Sequence, residues 1–117
     1  MNRPKLSVKF YKSSANREPV REWLKALDEG DRKTIGDEIR LVQFGWPVGM
    51  PLVRKMQADL WEIRITLASR IARVLFTVHA GQAVLLHGFI KKSPKTPEAE
   101  LQTAKNRLKL LSDQPLD

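Results

Sequence analysis

Arg64 and Arg73 are the residues in this chain best suited to chemistry, with Lys91 and Lys92 following at a distance that a folded sheet could close. Guanidinium groups grip a phosphate in two places at once, and ammonium groups add charge beside it. On the scissile phosphate of RNA, such a cluster could do more than bind. Attack by the neighbouring 2′-hydroxyl needs a base, an acid and stabilisation of charge on the phosphoryl oxygens, and it needs no metal. Arginine and lysine supply the last requirement. Proton transfer is harder to assign, because arginine stays charged and a lysine needs its pKa lowered by burial or by like charges nearby. His87, one of two histidines and four residues before Lys91, is the natural candidate. It lies within Leu85-Leu86-His87-Gly88-Phe89, so a hydrogen-bonded core histidine is the equal alternative. His79 reads as a surface residue at a strand end. Arg54, Lys55 and Lys95 are candidate RNA-binding residues around the same surface.

The distribution of charge supports this choice. The formal net charge is +8, with a pI near 10.1, which makes nucleic acid the first partner to consider. Residues 1–50 carry ten basic and seven acidic side chains, residues 51–95 eight and two, and residues 96–117 three and four. The surplus therefore sits in the middle segment. No cysteine is present, which excludes a disulfide framework, a thiolate zinc site and a cysteine nucleophile. Gly-rich phosphate loops, paired carboxylates and metal-ligand spacings are also missing from the sequence, so neither a metal nor a cofactor is expected. The first residues lead into no apolar signal core, and the longest apolar run, Ala83 to Leu86, is too short to span a bilayer; a cytoplasmic location is expected.

The elements that must position these residues follow from the hydrophobic period. Lys5 to Tyr11 alternates as a half-buried strand, with Leu6, Val8 and Phe10 on one side. Val20, Trp23, Leu24 and Leu27 recur at helical spacing, and Gly30 ends that helix. Asp31 is positioned to cap a second helix with Ile35, Ile39 and Val42 on its apolar stripe, stopped by Gly45 and Pro47. Residues 46–51 read as a loop. From Leu60 the period becomes two: Trp61, Ile63, Ile65 and Leu67 oppose Glu62, Arg64 and Thr66. After a turn near Ser69, Ala72, Val74, Phe76 and Val78 oppose Arg73, Thr77 and His79. This predicts a hairpin with Arg64 and Arg73 facing away from the helices. Ala80-Gly81 is a tight turn, and Ala83 to Ile90 suits a strand covered on both faces. Lys91 to Lys95 forms a basic connector to a last helix, for which Thr96 offers a capping hydroxyl and Pro97 the first helical position. Trp23 and Trp61 belong to the core, whereas Trp46 and Tyr11 are free to stack on a base. The order β-α-α-β-β-β-α predicts an α+β fold in one domain over residues 1–117, a mostly antiparallel sheet with an N-terminal αα-hairpin and a C-terminal helix.

Leu60-Trp61-Glu62-Ile63-Arg64, Arg73-Val74-Leu75-Phe76 and Leu85 to Pro97, with Glu100, Ala104 and Arg107 on the final helix, resemble the phage-derived HigB-like branch of the RelE/ParE toxin superfamily. His-Gly-Phe-Ile-Lys-Lys running into Thr96-Pro97 is the most specific part. The resemblance implies a RelE-like fold and the toxin of a type II toxin–antitoxin system: a metal-independent endoribonuclease, or mRNA interferase, that cuts mRNA on the ribosome and so inhibits translation. It also implies a helix-turn-helix antitoxin, HigA-like, encoded by a neighbouring gene. By position, the superfamily's sheet arginines fall on Arg64 and Arg73, and its basic pair after the last strand on Lys91 and Lys92. Some members use a tyrosine near the C-terminus; none follows Tyr11 here, so lysine, His87 or a ribosomal group would take the proton. The ParE side of the superfamily implies an alternative, a non-nucleolytic inhibitor of DNA gyrase.

Overall fold

The computed structural model describes residues 3–92 and 95–113. Strand β1 (Ser7–Phe10) leads into helices α1 (Pro19–Ala26) and α2 (Glu29–Gly45). Strands β2 (Val53–Gln57), β3 (Leu60–Thr66), β4 (Ile71–His79) and β5 (Gln82–Lys91) follow, and helix α3 (Glu98–Ser112) ends the described chain. The strands form one sheet in the order β1-β5-β4-β3-β2, with β1 parallel to β5 and the other pairs antiparallel. The α+β class and the mostly antiparallel sheet match the sequence expectation. Among these residues no helix is long and apolar enough to cross a membrane.

The element order differs by one strand. β2 is an edge strand in which only Val53 is buried, and its ladder to β3 is irregular between Lys55 and Gln57. An edge strand with one core residue carries no two-residue period, so the sequence shows nothing there to read. Two helix boundaries also move. Asp28, not Asp31, caps α2, its Oδ1 accepting from the Asp31 amide at 2.8 Å, and Gly30 falls inside the first turn of α2 instead of ending α1. At α3 the N-cap is Pro97 and Thr96 makes no cap hydrogen bond, because its hydroxyl has another partner.

The sheet is covered on both faces. One face packs Ile63, Ile65, Val74, Phe76, Ala83 and Leu85 against Val20 of α1 and Ile35, Ile39 and Val42 of α2. The other packs Leu60, Leu75, Val84, Leu86 and Phe89 against Ala104, with Leu101, Leu108 and Leu111 of α3 around them. Trp46 and Tyr11 therefore do not project for stacking. Trp46 lies edge-on to Trp61, ring centres 5.2 Å apart, while Tyr11 is buried and has the Arg107 guanidinium 5.8 Å from its ring. The β4–β5 turn is the expected tight one: Ala80 and Gly81 both have positive φ between the paired His79 and Gln82.

A β-bulge sets the register at the functional end of β5. Leu75 pairs with His87 and Phe76 with Leu85, which leaves Leu86 as the extra residue. Leu86 and His87 consequently both turn toward α3, and Gly88 turns toward α1. A Cβ on Gly88 would lie 2.4 Å from two carbons of the Trp23 ring. The indole thus packs directly on β5 backbone, which only glycine allows. Gly88→Ala should destabilise the protein by about 1–3 kcal/mol through overpacking, read as a lower urea midpoint with an unchanged slope. Trp23→Leu in the same chain should recover part of that loss, and no recovery would show the contact to be unimportant.

Candidate functional site

α3 covers the second face only in part, and the side chains beyond its N-terminal end are charged. Glu62 and Arg64 project there from β3, Arg54 from β2 opposite Glu62, and Arg73 from β4 directly opposite Arg64. Lys91 ends β5 on the same face, two residues beyond Phe89, which pairs with Arg73. Directly opposed residues in an antiparallel pair have Cβ atoms only about 4.5–5.5 Å apart, and like charges so placed repel. A sheet therefore tolerates Arg64 facing Arg73 only with compensation.

The compensation is Glu62, which the sequence reading did not single out. Glu62 is 1% exposed and Arg73 4%, and Arg73 Nε lies 3.5 Å from Glu62 Oε1. The Thr96 hydroxyl donates to Glu62 Oε2 at 2.7 Å. Arg73 Nη1 donates to the Ala72 carbonyl at 3.0 Å, and its Nε is buried without a hydrogen bond. Burial, and then Arg64, push the Arg73 pKa down while Glu62 holds it up. The expectation that Arg73 stands on an open sheet face is corrected here: it is buried beside Glu62, with part of its side chain reaching a cavity. Two signals pointed to Glu62. It is one of two acids within residues 51–95, and alternation puts it on the Arg64 face.

That cavity, about 430 Å³, is lined by Arg64, Arg73, Thr66, Ile71, Leu52, Pro51 and Glu38. Its size falls within the range of small-ligand clefts, ~300–1,000 Å³. Arg64 is half-buried in its wall, with Nη1 3.7 Å from Met50 Sδ. Another cavity of about 350 Å³ lies toward the C-terminal end of α3, where Leu108 and Leu111 meet His79; the arginines do not reach it.

Lys91 meets the condition set for a lysine that moves protons. Desolvation, Arg73, Arg64 and Arg54 all lower its pKa below the ordinary value, with Glu62 opposing them. The structure does not gather every candidate here. Lys55 pairs with Trp61 and so points to the opposite face, its ammonium 5.8 Å from that ring. Arg54 stays on the arginine face. Lys92 and Lys95 are exposed on the connector, within which Ser93 and Pro94 lie outside the described residues.

His87 sits apart, beneath α3. Arg107 Nη1, always a donor, lies 3.2 Å from His87 Nδ1 and also donates to the Leu86 carbonyl at 2.8 Å. Nδ1 must then be the acceptor, and the neutral ring carries its proton on Nε2, 3.3 Å from Glu100 Oε1. Burial lowers the His87 pKa, Glu100 works against the shift and Arg107 adds to it. Both ring nitrogens thus face α3, and Phe89 stacks on the ring with centres 5.6 Å apart. Arg107 of α3 is thus a partner of β5. Among the described residues no three His, Asp or Glu side chains gather into a metal-binding group.

The fold is thus a small, strongly basic α+β domain with an arginine pair compensated by a buried carboxylate at one end of its sheet. Residues 22–109 match the family described as phage derived protein Gp49-like (DUF891). The chain belongs to that family, a family of type II toxins related to the RelE-like toxins, for which an antitoxin partner is implied. No curated protein shows a significant match to the chain.

The His87 arrangement has a consequence for stability. A depressed imidazole pKa means that the unfolded chain binds a proton at a pH where the folded protein does not, so stability falls as pH drops below the ordinary value of 6.5. The urea midpoint should decline across that range, and His87→Gln should flatten the decline. An equal decline in the variant would show that His87 is not its source.

Proposed function

We propose that this protein is the toxin of a type II toxin–antitoxin pair and acts as a metal-independent, ribosome-dependent endoribonuclease on mRNA. The observation that carries the reading is the Arg64–Arg73 pair beside Lys91, three cations from three adjacent strands with two of them lining one cleft. Family membership supports the toxin class, and the residues supply the chemistry. A phosphate in the cleft would have its non-bridging oxygens held by Arg64 and by the cavity-facing part of Arg73. Attack by the 2′-oxygen forms a bond to phosphorus and breaks the bond to the 5′-oxygen, leaving a 2′,3′-cyclic phosphate and a 5′-hydroxyl. Charge grows on the phosphoryl oxygens during this step, where fixed guanidinium groups are most effective.

Two protons must move: one leaves the attacking 2′-hydroxyl and one reaches the departing 5′-oxygen. Lys91 is assigned the second transfer, because burial and then the neighbouring arginines lower its pKa. The ribosome supplies the base in this scheme. His87 acts by holding β5 to α3, and Lys92, Lys95 and Arg54 guide the RNA backbone. The silencing partner is a helix-turn-helix antitoxin, HigA-like, encoded by a neighbouring gene.

The test is to map mRNA 5′ ends after inducing the protein without its antitoxin, and then with purified ribosomes present or absent. New ends within translated codons should appear only with ribosomes. Arg64→Ala should reduce cleavage roughly 10²–10³-fold, as expected for removing one group that stabilises developing charge. Arg64 is the cleaner substitution, because removing Arg73 would strand a buried carboxylate and threaten folding. Intact mRNA despite arrested growth would overturn the proposal. If purified gyrase were inhibited and Arg64→Ala made no difference, the ParE-like activity would replace it.

A further inference from the structure

We propose that Glu62 is a positioning residue of this site: its buried carboxylate holds Arg73 of β4 and Thr96, just before α3, at one point, fixing the start of that helix beside the arginine pair. The inference deepens the reading of the cleft as a phosphate site and rests on that reading for its role in the reaction.

Stability alone does not account for Glu62. A carboxylate 1% exposed pays a large desolvation penalty, and replacing a buried ion pair with apolar residues is often neutral or stabilising. The Thr96 hydroxyl points the same way. It stands one residue before the N-cap of α3, yet donates to Glu62 Oε2, and α3 begins without a side-chain cap among the described residues.

The surroundings of Glu62 define its role. Arg54 faces it from β2, Arg64 lies two residues along β3, Arg73 approaches from β4, Lys91 from β5 and Thr96 from the connector. Four cations share one buried anion. Glu62 touches no position that a bound phosphate would take, since its two oxygens are turned to Arg73 and Thr96. It therefore acts through these neighbours. The hydrogen bond to Thr96 ties the start of α3 to β3, and the charge opposes the burial and the arginines that lower the Lys91 pKa.

Glu62→Gln keeps the shape and removes the charge, whereas Thr96→Val keeps the charge and removes the tether. Lys91 is followed by NMR titration of its side chain in the free protein, and cleavage is measured on ribosomes. In Glu62→Gln the Lys91 titration midpoint should move down, and kcat should fall roughly 10²-fold with little change in KM, the size of effect expected when a reacting group is displaced. In Thr96→Val the midpoint should stay in place while amide exchange at Lys95 and Thr96 accelerates. An unmoved Lys91 midpoint in Glu62→Gln, or unchanged exchange in Thr96→Val, would overturn the proposal. Neither readout in the free protein needs RNA. If both behave as expected and mRNA is never cut, the positioning role stands and the reaction assigned to the site does not.

Discussion

Burying Glu62 within β3 is what allows β3 and β4 to carry Arg64 and Arg73 opposite each other. Opposed like charges weaken a strand pair, and Arg73 is additionally taken out of water, so an uncompensated pair would push the hairpin apart or turn one arginine into solvent. With a carboxylate 3.5 Å from Arg73 Nε, the guanidinium has a reason to stay inside. The same carboxylate accepts from the Thr96 hydroxyl, just before α3. One acidic residue thereby links three strands and the start of the last helix.

The rest of the fold keeps that end of the sheet open. α3 covers the second face over Leu60, Leu75, Leu86 and Phe89, and the charged residues begin where its apolar contacts stop. The bulge at Leu86 turns His87 toward the helix, where Glu100 and Arg107 meet it, so α3 is held by polar contacts as well as apolar ones. On the first face, Trp23 presses on Gly88 and the two N-terminal helices bury the other side of the same strands. Strands packed on both faces make a rigid platform, which a site that aligns a phosphate requires.

The class of fold was legible because it rests on period. Alternation along β3 and β4 is enforced by burial of Trp61, Ile63, Ile65, Val74 and Phe76, and it put Glu62, Arg64 and Arg73 together on the opposite face; that α3 packs on this face too was not legible. The helical stripes of α1, α2 and α3 are similarly unambiguous. β2 was not legible, since an edge strand with one buried residue leaves no pattern. The cap of α2 shifted from Asp31 to Asp28 because both are good caps and only the backbone path selects between them. Thr96 was misread for another reason. It has a local use as a cap and a stronger partner far along the chain.

By itself the sequence determined which residue types are available to the site, which of them share a face of β3 and of β4, and where the positive charge is concentrated, because these depend on neighbours one to four positions away. Tertiary structure alone decided which of the cations converge. It set Lys55 on the far side, Lys91 among the arginines and His87 under α3, through a strand register, a bulge and a helix packing that no local pattern encodes. It also decided that Arg73 is buried. Burial depends on what packs over a face, and the carboxylate beside Arg73 is itself tied to Thr96, more than twenty residues further along the chain.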